Sequence, residues 1–177
     1  LHRVATRAFD TYTTLADKSP IYQAQVLDNL SNSIKGEEDL LVVKKLAEQV
    51  SQSTRMFNHD RVAWLAENNK DVRSITERAR TVGDAERPAV MAQRVDALLR
   101  FQGPPPEGVD AAEAARYLNL PEGERSILSV AEAENFASKI NMGSPSDALS
   151  IVDTLVAGYG GEKNAVIAFN DLVRLPH

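Results

Sequence analysis

Ser129 and Glu132 stand three residues apart ahead of an apolar run, and this spacing constrains the chain more than any other feature. It is the pattern of a capping box, in which the serine oxygen accepts the amide of the third helical residue and the glutamate reaches back to the serine amide. The spacing predicts a helix from residue 130. Val130, Ala133, Phe136, Ala137 and Ile140 then recur at three- and four-residue steps, which places them along one helical side. Asn141-Met142-Gly143 ends that helix, and Ser144-Pro145 starts another, because serine is a strong N-cap and proline at the first helical position loses no hydrogen bond. Asp147 falls in the new first turn, where the helix dipole favours a negative charge. Leu149, Val152, Leu155, Val156 and Tyr159 carry the second helix until Gly158, Gly160 and Gly161 permit a left-handed exit. A third amphipathic helix, with Val166, Phe169, Leu172 and Val173 inward, closes the unit before Pro176.

The upstream chain reads the same way. Val4, Ala5, Ala8, Phe9, Tyr12, Leu15 and Ala16 form one amphipathic helix. Ser19-Pro20 starts the next, with Ile21, Ala24, Leu27, Leu30 and Ile34 as its buried side before Gly36. Glu37-Glu38-Asp39 opens a third, carrying Leu40, Val43, Leu46, Ala47, Val50 and Phe57. Asn58-His59-Asp60 and Asn68-Asn69 offer breaks and caps around Val62, Trp64 and Leu65. Val72, Ile75, Ala79 and Val82 follow, with Gly83 as terminator, Asp84 as the next cap and Pro88 in a first turn, since proline deeper in a helix breaks its ladder. Gly103-Pro104-Pro105-Pro106 is stiff and cannot continue a helix. It predicts a front bundle over residues 1–102, a linker over 103–109 and a back bundle over 110–177 that starts at Asp110 and Glu113. No segment alternates as a strand does. The expected fold is all-α, a helical bundle of about seven or eight helices in two abutting sub-bundles.

Composition sets what the chain can do. Its 177 residues are 43% hydrophobic and 25% charged, the profile of a folded globular domain. No apolar run approaches the roughly 20 residues needed to span a bilayer. Leu1-His2-Arg3-Val4 does not begin a signal peptide, and the missing initiator methionine suggests a piece of a longer polypeptide. The absence of cysteine excludes disulfides, thiolate nucleophiles and sulfur-ligated zinc. Residues 1–102 carry 15 Lys and Arg against 14 Asp and Glu, whereas 103–177 carry 5 against 11, so the acidic back half should not seek nucleic acid.

Five groups of residues are candidates for chemistry or binding. His2, His59 and His177 include no closely spaced ligand pair and read as solvated histidines. Glu122 and Glu124 flank Gly123, but a polar turn lacks the apolar surroundings that would raise a carboxyl pKa for acid catalysis. Gly158 to Lys163 lacks the preceding strand and the Gly-Lys-Ser/Thr ending of a phosphate loop, and reads as a helix-to-helix turn. Arg73, Arg80, Arg87 and Arg94 are spaced by sevens and form the candidate surface for an anionic partner. Asp71, Glu77, Asp84 and Asp96 are interleaved with them, and no aromatic ladder accompanies them, which favours an ion-paired face over a nucleic-acid surface. Trp64, Tyr12, Tyr22 and Phe57 read as core at helical spacing, with an interface role as the alternative.

The run from Asn141 through Leu149, with Leu155 through Gly161, resembles the long alanine-rich helical regions of tailed-bacteriophage virion proteins, namely internal or ejected proteins and large tail proteins. The resemblance covers about the last third of the chain and implies a scaffolding or assembly segment located in a virion. The lytic transglycosylase motif that some members carry, a Glu-Ser pair with a following Gly-Leu-Met-Gln-like run, does not occur. The expected function is a non-catalytic structural or protein-interaction helical module, with no cofactor and with a protein partner or self-association. The alternatives are a cytoplasmic bacterial adaptor or regulatory domain, and an accessory domain of a cell-wall or nucleic-acid enzyme.

Overall fold

A computed structural model describes residues 2–175, and among these there are ten α-helices and no strand. In chain order they are α1 (His2–Leu15), α2 (Pro20–Asn32), α3 (Glu37–His59), α4 (Arg61–Asn68), α5 (Lys70–Thr81), α6 (Arg87–Gln102), α7 (Ala111–Ala114), α8 (Val130–Met142), α9 (Pro145–Gly158) and α10 (Glu162–Val173). The number exceeds seven or eight for a local reason. Asp60 and Asn69 each cap a new helix, which isolates the 8-residue α4, and the Asp110 start yields only the 4-residue α7.

The caps explain the boundaries. Ser129 and Glu132 form the reciprocal box at α8, and Ser144 and Asp147 form a second at α9. Ser19 Oγ accepts the Tyr22 amide at α2, and Asn69 Oδ1 accepts the Asp71 and Val72 amides at α5. Pro88 lies in the first turn of α6 as expected, but that helix starts after Glu86, and Asp84 pairs with Arg87 instead of capping it. Gly160 and Gly161 take φ of 90° and 104° between α9 and α10, where a side chain would be strained.

The 23-residue α3 is the spine of the front group. α1 and α2 each pack on it and scarcely on one another, and α4, α5 and α6 follow as sequential neighbours. The front core gathers Phe57, Trp64, Leu65, Val72, Leu98 and Phe101. Trp64 sits edge-on to Phe57 at 5.4 Å and donates from Nε1 to Ser53 Oγ at 2.9 Å, so its one polar atom is satisfied in the interior. The back group, α8 to α10, closes over Ile127, Leu128, Ala133, Leu155, Tyr159 and Ala168. α6 belongs to both cores: Ala97, Leu98 and Phe101 face the front, and Val95 is buried in the back.

The proline segment turns back on the helix that precedes it. Leu118 N donates to Phe101 O at 2.8 Å, Asn119 N to Gly103 O at 3.0 Å and Leu120 N to Gln102 O at 2.8 Å, which folds residues 103–117 back on the end of α6. Tyr117 and Leu118 consequently lie in the front core, with Tyr117 5.0 Å from Phe101. Fully buried Gln102 extends the clasp: its Nε2 donates to Ser126 O at 2.7 Å and its Oε1 accepts the Ser126 amide at 2.8 Å. Several residues expected inward lie outside the core, among them Phe9, Ile21, Leu40, Leu149, Val166 and Val173.

Candidate functional site

The four arginines spaced by sevens do not share one face. Residues 82–86 interrupt the helix between α5 and α6, so the slow drift expected of a continuous helix never develops. Arg73 and Arg80 are exposed on α5, where Arg73 donates to Glu67 O and Arg80 pairs with Glu77 at 3.3 Å. Arg87 turns back to the end of α5, donating to Ala79 O at 3.1 Å and Val82 O at 2.8 Å. Arg94 is buried, and its guanidinium meets Glu132 of α8 through both terminal nitrogens, at 2.8 and 3.2 Å. Arg94 thus has its charge committed to Glu132. Arg80 and Arg94 do border one groove of about 620 Å³, with Met56, Ala66 and Met91 on its apolar side.

A second cavity, of about 320 Å³, opens where the α3–α4 turn meets α8 and the end of α10. Its lining includes His59, Asp60, Arg61, Asp171 and Arg174. Asp60 uses both oxygens on helix starts: Oδ1 accepts the Ala63 amide of α4 and Oδ2 the Val130 amide of α8, each at 2.9 Å. Asp171 Oδ2 accepts the Ile127 and Leu128 amides at 2.9 and 3.0 Å. Burial pushes the Asp171 carboxyl above the ordinary aspartate value, and these two amide bonds pull in the opposite direction. Arg61 lies over the Phe57 ring at 4.9 Å and donates to Glu124 O, while Arg174 donates to Gly123 O. Burial lowers the pKa of Arg61, with neighbouring Arg174 acting in the same sense.

The sequence marks Asp60 as a cap and gives no signal for its second role. Asp171, Arg61 and Arg174 carry no motif, because their convergence depends on contacts across as many as 63 residues. The remaining candidates stay apart. Glu122 and Glu124 are exposed on a short 3-10 turn, Glu122–Glu124. His2 and His59 are exposed, and His177 lies outside the described residues. No cluster of three His, Asp or Glu side chains is placed to hold a metal among the described residues. No helix there is long and apolar enough to cross a membrane. Trp64 and Phe57 are core residues, and Tyr12 and Tyr22 are half-buried. Compared with known protein families, curated proteins and solved structures, the chain matches none.

Proposed function

We propose that the chain is a non-catalytic structural or protein-interaction module that binds through the outer sides of α1, α2 and the start of α3. The observation behind this reading is the apolar surface these helices leave uncovered, although Leu15, Leu46 and Val50 form a core against Tyr22, Val26, Leu27 and Leu30. Along its 13 residues α2 fully buries one side chain, the polar Gln23, and the cluster under the start of α1 is just Val4, Ala8 and Val42. Large apolar groups are left in water, with Phe9 63%, Ile21 70%, Leu40 42% and Leu41 45% exposed. Covering such groups yields about 25 cal/mol per Å² of apolar surface, which favours a second helical surface as the occupant.

Self-association is the form of this reading to test first, and it fits the assembly role implied by the resemblance to phage virion proteins. Light scattering after size-exclusion chromatography should give masses that are multiples of 19.4 kDa and that collapse to the monomer in a Phe9→Ser/Leu41→Ser variant. A monomer at about 100 μM, or an oligomer untouched by the double substitution, would sink it. The exposed Arg73 and Arg80 support a second reading, an accessory nucleic-acid contact. It requires a DNA affinity that falls steeply with salt and drops in Arg80→Glu.

A further inference from the structure

Arg61, at the start of α4, and Arg174, just past α10, reach the same short turn from opposite sides. Arg61 Nη1 donates to Glu124 O and Arg174 Nη2 donates to Gly123 O, which brings two guanidinium groups to one wall of the 320 Å³ cavity. Like charges placed together in a cleft call for anions. The cavity has two carboxylates of its own, and only Asp171 meets either guanidinium, through a long ion pair from one oxygen to Arg174. Asp60 has each oxygen on a helix-start amide, and Asp171 has one oxygen on two amides and pairs through the other with one nitrogen of the half-exposed Arg174 at 3.8 Å, which leaves most of both guanidinium forks uncommitted to a carboxylate. Arg61 Nε is buried with no hydrogen-bond partner among the described residues. A guanidinium offers five N–H donors, and a buried donor left unpaired is destabilising.

We propose that this cavity binds a small tetrahedral oxyanion of the phosphate class, inorganic phosphate or a phosphomonoester, held by Arg61 and Arg174 with His59 among the lining groups. Guanidinium groups match phosphate oxygens in geometry and keep their charge at every physiological pH. The volume exceeds that of one phosphate, which leaves room for the carbon skeleton of an ester. The site lies at the meeting of the two helical groups, so a bound anion ties α4 to α10. This assignment is independent of the reading given to α1–α3.

The test is thermal unfolding of the full chain in inorganic phosphate and, separately, in glycerol 3-phosphate, with chloride used to hold ionic strength constant. A saturable rise in Tm is expected, about 5 °C or more at fifty times the Kd. The tighter of the two titrations distinguishes the free ion from the ester. Arg174→Gln, at a partly exposed position, should weaken binding about tenfold, and Arg61→Gln at least as much. Arg73→Gln, remote from the cavity, should bind as the parent does. The absence of a saturable rise with either anion overturns the assignment, as does an Arg174→Gln protein that responds like the parent or an Arg73→Gln protein that loses as much.

Discussion

Glu132 holds Arg94 across the junction of the two helical groups, 38 residues apart in sequence, with Arg94 Nη2 to Glu132 Oε1 at 2.8 Å and Nη1 to Oε2 at 3.2 Å. The same Oε1 accepts the Ser129 amide at 3.2 Å, so one carboxylate completes the α8 capping box and neutralises a buried cation on α6. The start of α8 and its docking on α6 are therefore one event. A local signal and a long-range contact share an atom.

The Arg94 side chain is 6% exposed and that of Glu132 28%, which makes removal of one partner costlier than removal of both. Glu132→Ala should lose about 3 kcal/mol in urea unfolding, because the buried guanidinium is stranded and the cap is broken together. The double variant Arg94→Met/Glu132→Leu should recover most of that loss. If the single substitution costs under about 1 kcal/mol, the pair is not the latch described here.

Asp60 divides its two oxygens between α4 and α8, so its substitutions should separate the two roles. Asp60→Ala removes both caps and should cost about 2–4 kcal/mol, at about 1–2 kcal/mol for each N-cap. Asp60→Asn keeps one acceptor for the Ala63 amide and puts a donor where the Val130 amide was accepted, so it should lose the α8 contact while sparing the α4 cap. Amide hydrogen exchange reads this directly: Val130 should exchange faster in both variants, Ala63 only in Asp60→Ala. Equal acceleration of both amides in Asp60→Asn would show that the two caps are not separable.

Helix starts were the most legible part of this fold, because a cap is written within four residues. Ser129 with Glu132, Ser144 with Pro145, and Ser19 with Pro20 each name their own boundary. Which apolar residues face inward was less legible. Periodicity places Leu149 and Val166 on an apolar side, but a three-helix unit docked on one flank has fewer neighbours than apolar positions, and both remain exposed. The arginine spacing carries little for a related reason, and Gly83 and Pro88 already mark the break. A seven-residue interval has meaning on one continuous helix, and the interruption over residues 82–86 sends Arg94 into the junction while Arg80 stays in water. The prolines after Gly103 correctly stop a helix, but nothing local reveals that residues 118–120 return to hydrogen-bond with residues 101–103.

Asp171 should leave a signature in the pH dependence of stability. Its carboxyl is raised above the usual 3.8, first by burial. A raised acid binds more protons folded than unfolded, so its contribution is fully present below the unfolded pKa and is lost as pH climbs through the folded one. Over that window the parent should lose stability relative to Asp171→Asn, whose amide oxygen can still accept the Ile127 and Leu128 N–H groups. Urea midpoints from pH 3 to 7 for the two proteins provide the check. A gap that moves the other way with rising pH would mean that the amide bonds outweigh burial.

Gly143 is set by space and not by backbone strain. Its φ is −91°, which any residue can adopt, but a Cβ there would lie 2.8 Å from Asp147 Cβ and 2.9 Å from Lys139 O. Lys139 O receives the Gly143 amide that closes α8, and Asp147 Oδ2 accepts the Ser144 amide at 2.8 Å to open α9. A methyl group must displace one of them, and neither neighbour is the free end of a long side chain. Gly143→Ala should therefore cost about 1–2 kcal/mol, the worth of one cap plus local strain. Gly83→Ala makes the matched comparison, since nothing lies within 4 Å of its Cβ position and its φ is not in the left-handed region. That change should fall within about 0.5 kcal/mol of the parent. Equal losses at the two glycines would assign the effect to helix ends in general, whereas a loss confined to Gly143 shows that α8 and α9 meet too closely for any side chain at their joint.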